Sequence, residues 1–232
     1  MLSIGNCLLC GCFAELRLGV CVYCDQLIIS GLFSSYAYSI CIKCGDPLLN
    51  IDSTCMHHGR QEPVHIEKTG FYSSFLKELI IRYKFSPCRA LSEYIASMVS
   101  VCLRSPDQPQ RILWIVHVPC SVKGLQARGW DQMEVIADLL AQKPFTIKAP
   151  FLQRKNGSEQ KLKTRERRMI EVGGAFTLNE QLLLSTQARL PAPDAVVVID
   201  DVYTTGATMH ECIKLLQTHF TCRVSGICLA MD

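Results

Sequence analysis

Charge is scarce in this sequence and nearly without sign. Only 19% of its 232 residues are charged and the formal net charge is +3, so bulk electrostatics neither require a nucleic-acid partner nor exclude one. Low charge beside 49% apolar residues excludes a disordered tail and predicts an ordered core. Long hydrophobic runs are missing as well. The most apolar early stretch, LIISGLFSSYAYSI, is 14 residues long and contains Gly31, short of the roughly 20 that a bilayer-spanning helix needs. MLSIGNCLLC lacks the basic start and long apolar centre of a signal peptide. These absences predict a cytoplasmic protein with no membrane partner. The length suits one ordinary domain and a small appendage.

Cysteine, by contrast, is plentiful. More than half of the 14 cysteines fall in the first 55 residues, and in a cytoplasmic chain such crowding points to metal rather than disulfides. Cys7, Cys10, Cys21 and Cys24 form two CxxC pairs separated by ten residues, and Cys41, Cys44, Cys55 and His58 repeat that spacing 34 residues later. A CxxC turn brings two thiolates to one tetrahedral ion, and a second turn completes the site. Each unit is too short to bury a core and is expected to fold only around metal, predicting two Zn²⁺ ions. Buried free cysteines and redox CxxC pairs explain the doubled spacing less well. Spacing leaves open whether the pairs act sequentially or interleaved, what Cys12 does, and whether His57 replaces His58.

The remainder reads as alternating helices and strands. Helices are predicted over 71–84, around Leu91 to Cys102, over 131–141 and from Met209 to Phe220, with strands at RILWIVHVP, near GAFTL, at VVVID and at RVSGICLAM. STQARLPAPD reads as a polar connection. Strand, helix, strand in this order predicts an α/β fold with parallel strands and helices on both faces. Ligands in such sheets bind beyond the carboxyl ends of the strands.

At one such end stands VVVIDDVYTTGAT, residues 196–208. The chain leaves a buried strand through Asp200 and Asp201, turns at Thr204, Thr205 and Gly206, and enters a helix through Ala207 and Thr208. Amides at a helix N-terminus, with threonine hydroxyls, suit a phosphate. Paired carboxylates beside an anion site make sense if they accept from vicinal ribose hydroxyls or hold Mg²⁺. Residues 148–168 carry eight Lys or Arg against Glu159 and Glu166, among them Arg154, Lys155, Lys161, Lys163, Arg165, Arg167 and Arg168. Such a run is more often a solvated helix face than a DNA site; it is the candidate surface for single-stranded DNA, whose phosphates its cations can pair with.

Residues 196–208 resemble the motif by which type I phosphoribosyltransferases bind phosphoribosyl pyrophosphate (PRPP). VPCSVKGLQARGWDQ (118–132), the segment from Arg154 to Phe176 and FYSSFLKELIIRYKF resemble stretches of the ComF family of competence proteins, with Asp131 and Glu171 standing where the family has Asn. The resemblance implies a type I phosphoribosyltransferase domain over 63–232, a Rossmann-like parallel sheet, behind an N-terminal double zinc-ribbon module over 1–62. It implies that Asp200 and Asp201 serve as catalytic acids and bind PRPP with Thr204 to Thr208, Pro119, Cys120, Ser121 and Arg128. Related enzymes hold a cis peptide in the loop at Pro119 to Ser121, which turns its amides to the ligand. They also carry a cationic loop that closes over pyrophosphate, and the resemblance implies that role for residues 148–168 in place of DNA binding. The expected function is binding PRPP and acting on incoming single-stranded DNA in natural transformation, alongside a helicase or DNA-processing protein of the uptake machinery. Two alternatives stand beside it: a metabolic phosphoribosyltransferase and a non-catalytic PRPP sensor. Cys120 with His117 suggests a nucleophile and base, but no third group orients them.

Overall fold

The computed structural model describes residues 2–31, 38–41, 43–44, 46, 48, 53–60, 63–72, 74–85, 88–103, 110–155 and 174–231. The chain opens with three short antiparallel strands, β1 (Leu2–Asn6), β2 (Phe13–Arg17) and β3 (Val20–Cys21), followed by helix α1 (Val22–Gly31). Strand β4 (Tyr38–Cys41) leads to the small antiparallel ladder of β5 (Thr54–Cys55) and β6 (Gly59–Arg60). Then come β7 (Pro63–Phe71), α2 (Ser74–Phe85), α3 (Leu91–Cys102), β8 (Leu113–His117), α4 (Val122–Arg128), α5 (Gln132–Leu140) and β9 (Thr146–Lys148). The hairpin of β10 (Leu152–Arg154) and β11 (Phe176–Leu178) precedes α6 (Glu180–Arg189), β12 (Ala195–Tyr203), α7 (Ala207–Gln217) and β13 (Arg223–Met231).

Six strands make the central sheet in the order β4-β7-β13-β12-β8-β9. All neighbours are parallel except β4, which runs antiparallel to β7. The apolar runs of β8 and β12 are buried on both faces, as parallel strands covered by helices must be. Alternate residues of β12 face opposite ways. Val197 and Ile199 join one core with α2, α3 and α5, while Val196 and Val198 join a second with α7. In the second core Trp114, Phe151 and Phe220 form an aromatic cluster with centroids 5.7 to 6.2 Å apart, a geometry worth about 1 kcal/mol per pair beyond buried area.

Residues on either side of position 62 pack together. Cys7, Val20, Cys21, Cys24 and Ile28 share one core with Leu76, Leu79, Ile80 and Tyr83 of α2, and Ile40 of β4 lies in the other. Two local expectations change. The helix expected from residue 71 begins at Ser74, because β7 continues to Phe71 beside β13. The polar connection at 185–194 is helical as far as Arg189, since the Asn179 side chain caps the Leu182 amide at 3.0 Å and starts α6.

Candidate functional site

β8 and β12 are hydrogen-bonded neighbours, and beyond their carboxyl ends lies a cleft of about 290 Å³. Val118 to Ser121 form one wall, and Arg128, Asp131 and Gln132 another. Lys84, Phe85, Met133, Arg154, Asp200, Asp201, Val202 and Thr208 complete the lining. A smaller hollow of about 30 Å³ is lined by Asp200 and residues 202–209. Asp200 and Thr208 belong to both, so the hollow and the cleft adjoin.

The paired acids follow the strand's alternation. Asp201 turns toward α2 and α5, where its Oδ2 accepts from Lys84 Nζ at 2.8 Å and from Gln132 Nε2 at 3.3 Å. Asp200 occupies the register position beside Cys228 and accepts the Asp201 amide at 2.8 Å. Burial, reinforced by the Asp201 charge, pushes the Asp200 carboxyl up to about 8, against the opposing pull of Lys84 and Arg154. The two acids are thus held differently: burial and the neighbouring charge disfavour ionisation of Asp200, and Asp201 is ion-paired.

After β12 the chain turns at Gly206 with φ of 75°, where any side chain would also collide with the Tyr203 phenol. Glycine is required here on both counts. No side chain caps α7 in the usual way; Thr205 Oγ1 stands 3.4 Å from the Ala207 amide. Such a helix start presents amides and hydroxyls to an anion.

The loop after β8 differs from expectation. No peptide bond among the described residues is cis. Asp131 Oδ2 takes the Cys120 amide at 2.7 Å, while its Oδ1 caps α5 through Met133 and Glu134 at 3.0 and 3.2 Å. The amide expected to face the ligand is therefore held by the carboxylate. Burial and the nearby Asp131 charge push the Cys120 thiol up, the opposite of what a nucleophile needs. His117 is buried at the end of β8, its Nδ1 without a partner among the described residues, and burial depresses its pKa.

Arg154, expected in the basic segment, lines the cleft, with its guanidinium 5.1 Å from the Phe176 ring centroid. The hairpin that carries it is tied to α7, because Glu211 accepts the Phe176 amide at 2.8 Å. Lys155 follows β10. Lys161, Lys163, Arg165, Arg167 and Arg168, with Glu171, lie outside the described residues.

Away from the cleft, Cys7, Cys10, Cys21 and Cys24 form one ligand cluster, and Cys41, Cys44, Cys55 and His58 the other, with ligand atoms within 4.8 Å of one another in each. The sets are sequential, which spacing alone left open. Sulfurs of Cys10 and Cys21 lie 3.7 Å apart, those of Cys44 and Cys55 3.5 Å, and His58 Nδ1 is 3.5 Å from Cys55 and 3.8 Å from Cys41. Arms of about 2.3 Å to a tetrahedral zinc give an edge of about 3.8 Å, so the clusters fit that ion. Amides of Leu9 and Cys21 approach Cys7 Sγ at 3.4 Å, as does that of His57 to Cys55. Cys12 is exposed and outside the cluster, and His57 pairs with Asp46 at 3.4 Å. No helix among the described residues is long and apolar enough to cross a membrane.

No family model matches the chain. Competence protein ComFC of Bacillus subtilis (strain 168) is 26% identical over 145 residues, 62% of this chain and 55% of its own length. Competence protein ComFC of Streptococcus pneumoniae (strain ATCC BAA-255 / R6) is 26% identical over 146 residues, 63% of this chain and 59% of its own. The chain is related to the ComF family. The matches span little more than half the length of these relatives. The resemblance in 118–132 includes Asp131 and Gln132 without signalling that one grips the loop amide and the other holds Asp201. Lys84 was the last residue but one of a stretch similar to the same family, yet its spacing on an amphipathic helix gave no hint that it reaches the acids.

Proposed function

We propose that this ComF relative binds PRPP in the cleft between β8 and β12, and that it acts on incoming single-stranded DNA in natural transformation. Under this reading residues 63–232 form a type I phosphoribosyltransferase-like unit and residues 1–62 carry two structural zinc ions. One observation carries it: paired acids at the end of β12 lie in the same cleft as Arg128, Arg154 and Lys84, with the start of α7 adjoining. A pentose with vicinal hydroxyls, a 5-phosphate and a 1-pyrophosphate matches that set. The acids accept from hydroxyls, the turn at Thr204 to Thr208 takes the phosphate, and the cations take pyrophosphate. Asp200 and Asp201 are the residues that would hold Mg²⁺, which supplies charge neutralisation for the pyrophosphate. Both curated relatives are named as competence proteins, which supports the cellular part.

Calorimetric titration of PRPP into the full chain, with and without Mg²⁺, tests the site. Exchanging Asp200 and Asp201 together for Asn removes the acids that become charged acceptors once Mg²⁺ and ribose hydroxyls displace the Asp200 proton and the Lys84 ammonium, each such bond being worth about 1.5 to 3 kcal/mol. Affinity should fall at least tenfold and Mg²⁺ should cease to improve it. Equal affinity in the two proteins would reduce the site to a generic anion loop. In the cell, deletion should lower transformation frequency without causing purine or pyrimidine auxotrophy.

A further inference from the structure

Lys84 reaches the cleft from the last turn of α2, outside the segments assigned to PRPP. Its Nζ lies 2.8 Å from Asp201 Oδ2, and the two side chains are 22% and 16% exposed. The pair is largely shielded from solvent, so the ammonium leaves Asp201 only for another anion and only if Asp201 finds other donors. Gln132 Nε2 donates to the same Asp201 oxygen at 3.3 Å, so Asp201 keeps a donor if Lys84 departs. The backbone behind Lys84 is fixed. The neighbouring Tyr83 donates its hydroxyl to the Gln132 carbonyl at 2.9 Å, and its ring stands edge-on to Trp130 with centroids 5.0 Å apart. Motion of the ammonium is thus a matter of side-chain torsions, with no cost in moving the helix.

We propose that Lys84 is a ligand-binding residue, a resident cation that neutralises Asp201 in the empty cleft and turns to the pyrophosphate oxygens when these enter, leaving Asp201 to Gln132 and to any ribose hydroxyls. With Arg128 and Arg154 it makes three cations around one anion. A single ammonium serves both states, so the cleft avoids two bare carboxylates before the ligand arrives and lacks no cation after it. A phosphate oxygen gives the ammonium a charge-assisted hydrogen bond of the same kind as the one it leaves. The inference rests on the proposed reading of the cleft as a PRPP site.

The test uses two partial ligands, inorganic pyrophosphate and ribose 5-phosphate, titrated into the full chain and into K84M and K84R. Pyrophosphate should bind K84M at least tenfold more weakly and K84R within threefold of the native chain. Ribose 5-phosphate, seated on the α7 turn and the acids, should change less than threefold in either variant. If pyrophosphate affinity is unaffected in K84M, or if both ligands weaken equally, Lys84 acts only as a counterion of Asp201 and the proposal is overturned. Should K84M fail to fold, K84Q keeps a donor for Asp201 without the charge, and the same two outcomes decide. A native chain that binds neither ligand overturns the PRPP reading, and this inference with it; that failure shows in the native chain alone.

Discussion

Replacing Asp200 by Asn should stabilise the empty protein, and the gain should depend on pH. Asp200 has its carboxyl pushed from 3.8 to about 8, first by burial and then by the Asp201 charge. In the window between those values the native state holds a proton that the unfolded chain has already released, so stability falls as pH rises through it. About three units of that window lie below pH 7, each worth about 1.4 kcal/mol, so the penalty approaches roughly 4 kcal/mol at neutrality. Asparagine keeps an oxygen for the Asp201 amide, 2.8 Å away, and has no charge to bury. At about 2 to 4 °C per kcal/mol for a chain of this size, Tm of D200N should exceed that of the native protein by roughly 8 to 16 °C at pH 7. The difference should be small at pH 4, grow up to about pH 8, and then level off. Thermal melts of both proteins across pH 4 to 9 read it directly. A constant difference, or a less stable variant at neutral pH, would refute the account of a carboxyl kept protonated by its surroundings.

Two further outcomes are expected. Elemental analysis should find about two zinc ions per chain, and C24S should lower the stability of the entire protein in a single thermal transition, because Cys24 and Ile28 share a core with Leu76 and Leu79; an unchanged main transition beside a separate low-temperature one would contradict that shared core. Replacing Lys161, Lys163, Arg165 and Arg167 together should weaken binding of single-stranded DNA regardless of sequence and flatten its salt dependence, as measured by fluorescence anisotropy at several salt concentrations; an unchanged affinity and slope would leave the segment no role in DNA binding.

The parts of the fold written in apolar periodicity were legible. β8, β12 and β13 are runs buried by neighbours on both faces, and α3, α5 and α7 show apolar stripes at helical spacing. α6 was not, because Leu183 is its buried residue and a side-chain cap, not a stripe, sets its start. β7 escaped notice because Lys68 and Thr69 lie buried among its apolar residues; Lys68 reaches the Phe71 ring at 3.8 Å, and Thr69 donates to the Leu229 carbonyl. The turn from β12 into α7 was legible through its local motif. The cleft around it was assembled by long-range contacts: Lys84 is 117 positions from Asp201, and Arg154 comes from a hairpin off the main sheet. The core that Cys24 and Ile28 share with α2 was not legible for a related reason, since cysteine spacing describes the ligand side of a metal cluster and is silent about what the other side packs against.

The antiparallel strand β4 closes one edge of the central sheet and ends at Cys41, a ligand of the second cluster. Without β4, nine-residue β7 would present its unpaired amides and carbonyls along a border that includes Val64 and Ile66, a template for pairing with a second chain. Metal at the second cluster would therefore guard the protein against self-association as well as against unfolding. With metal lost from the second cluster alone, the earliest loss would be of solubility, by sheets of different molecules joining along β7, while the opposite side of the sheet and its cleft were still in place.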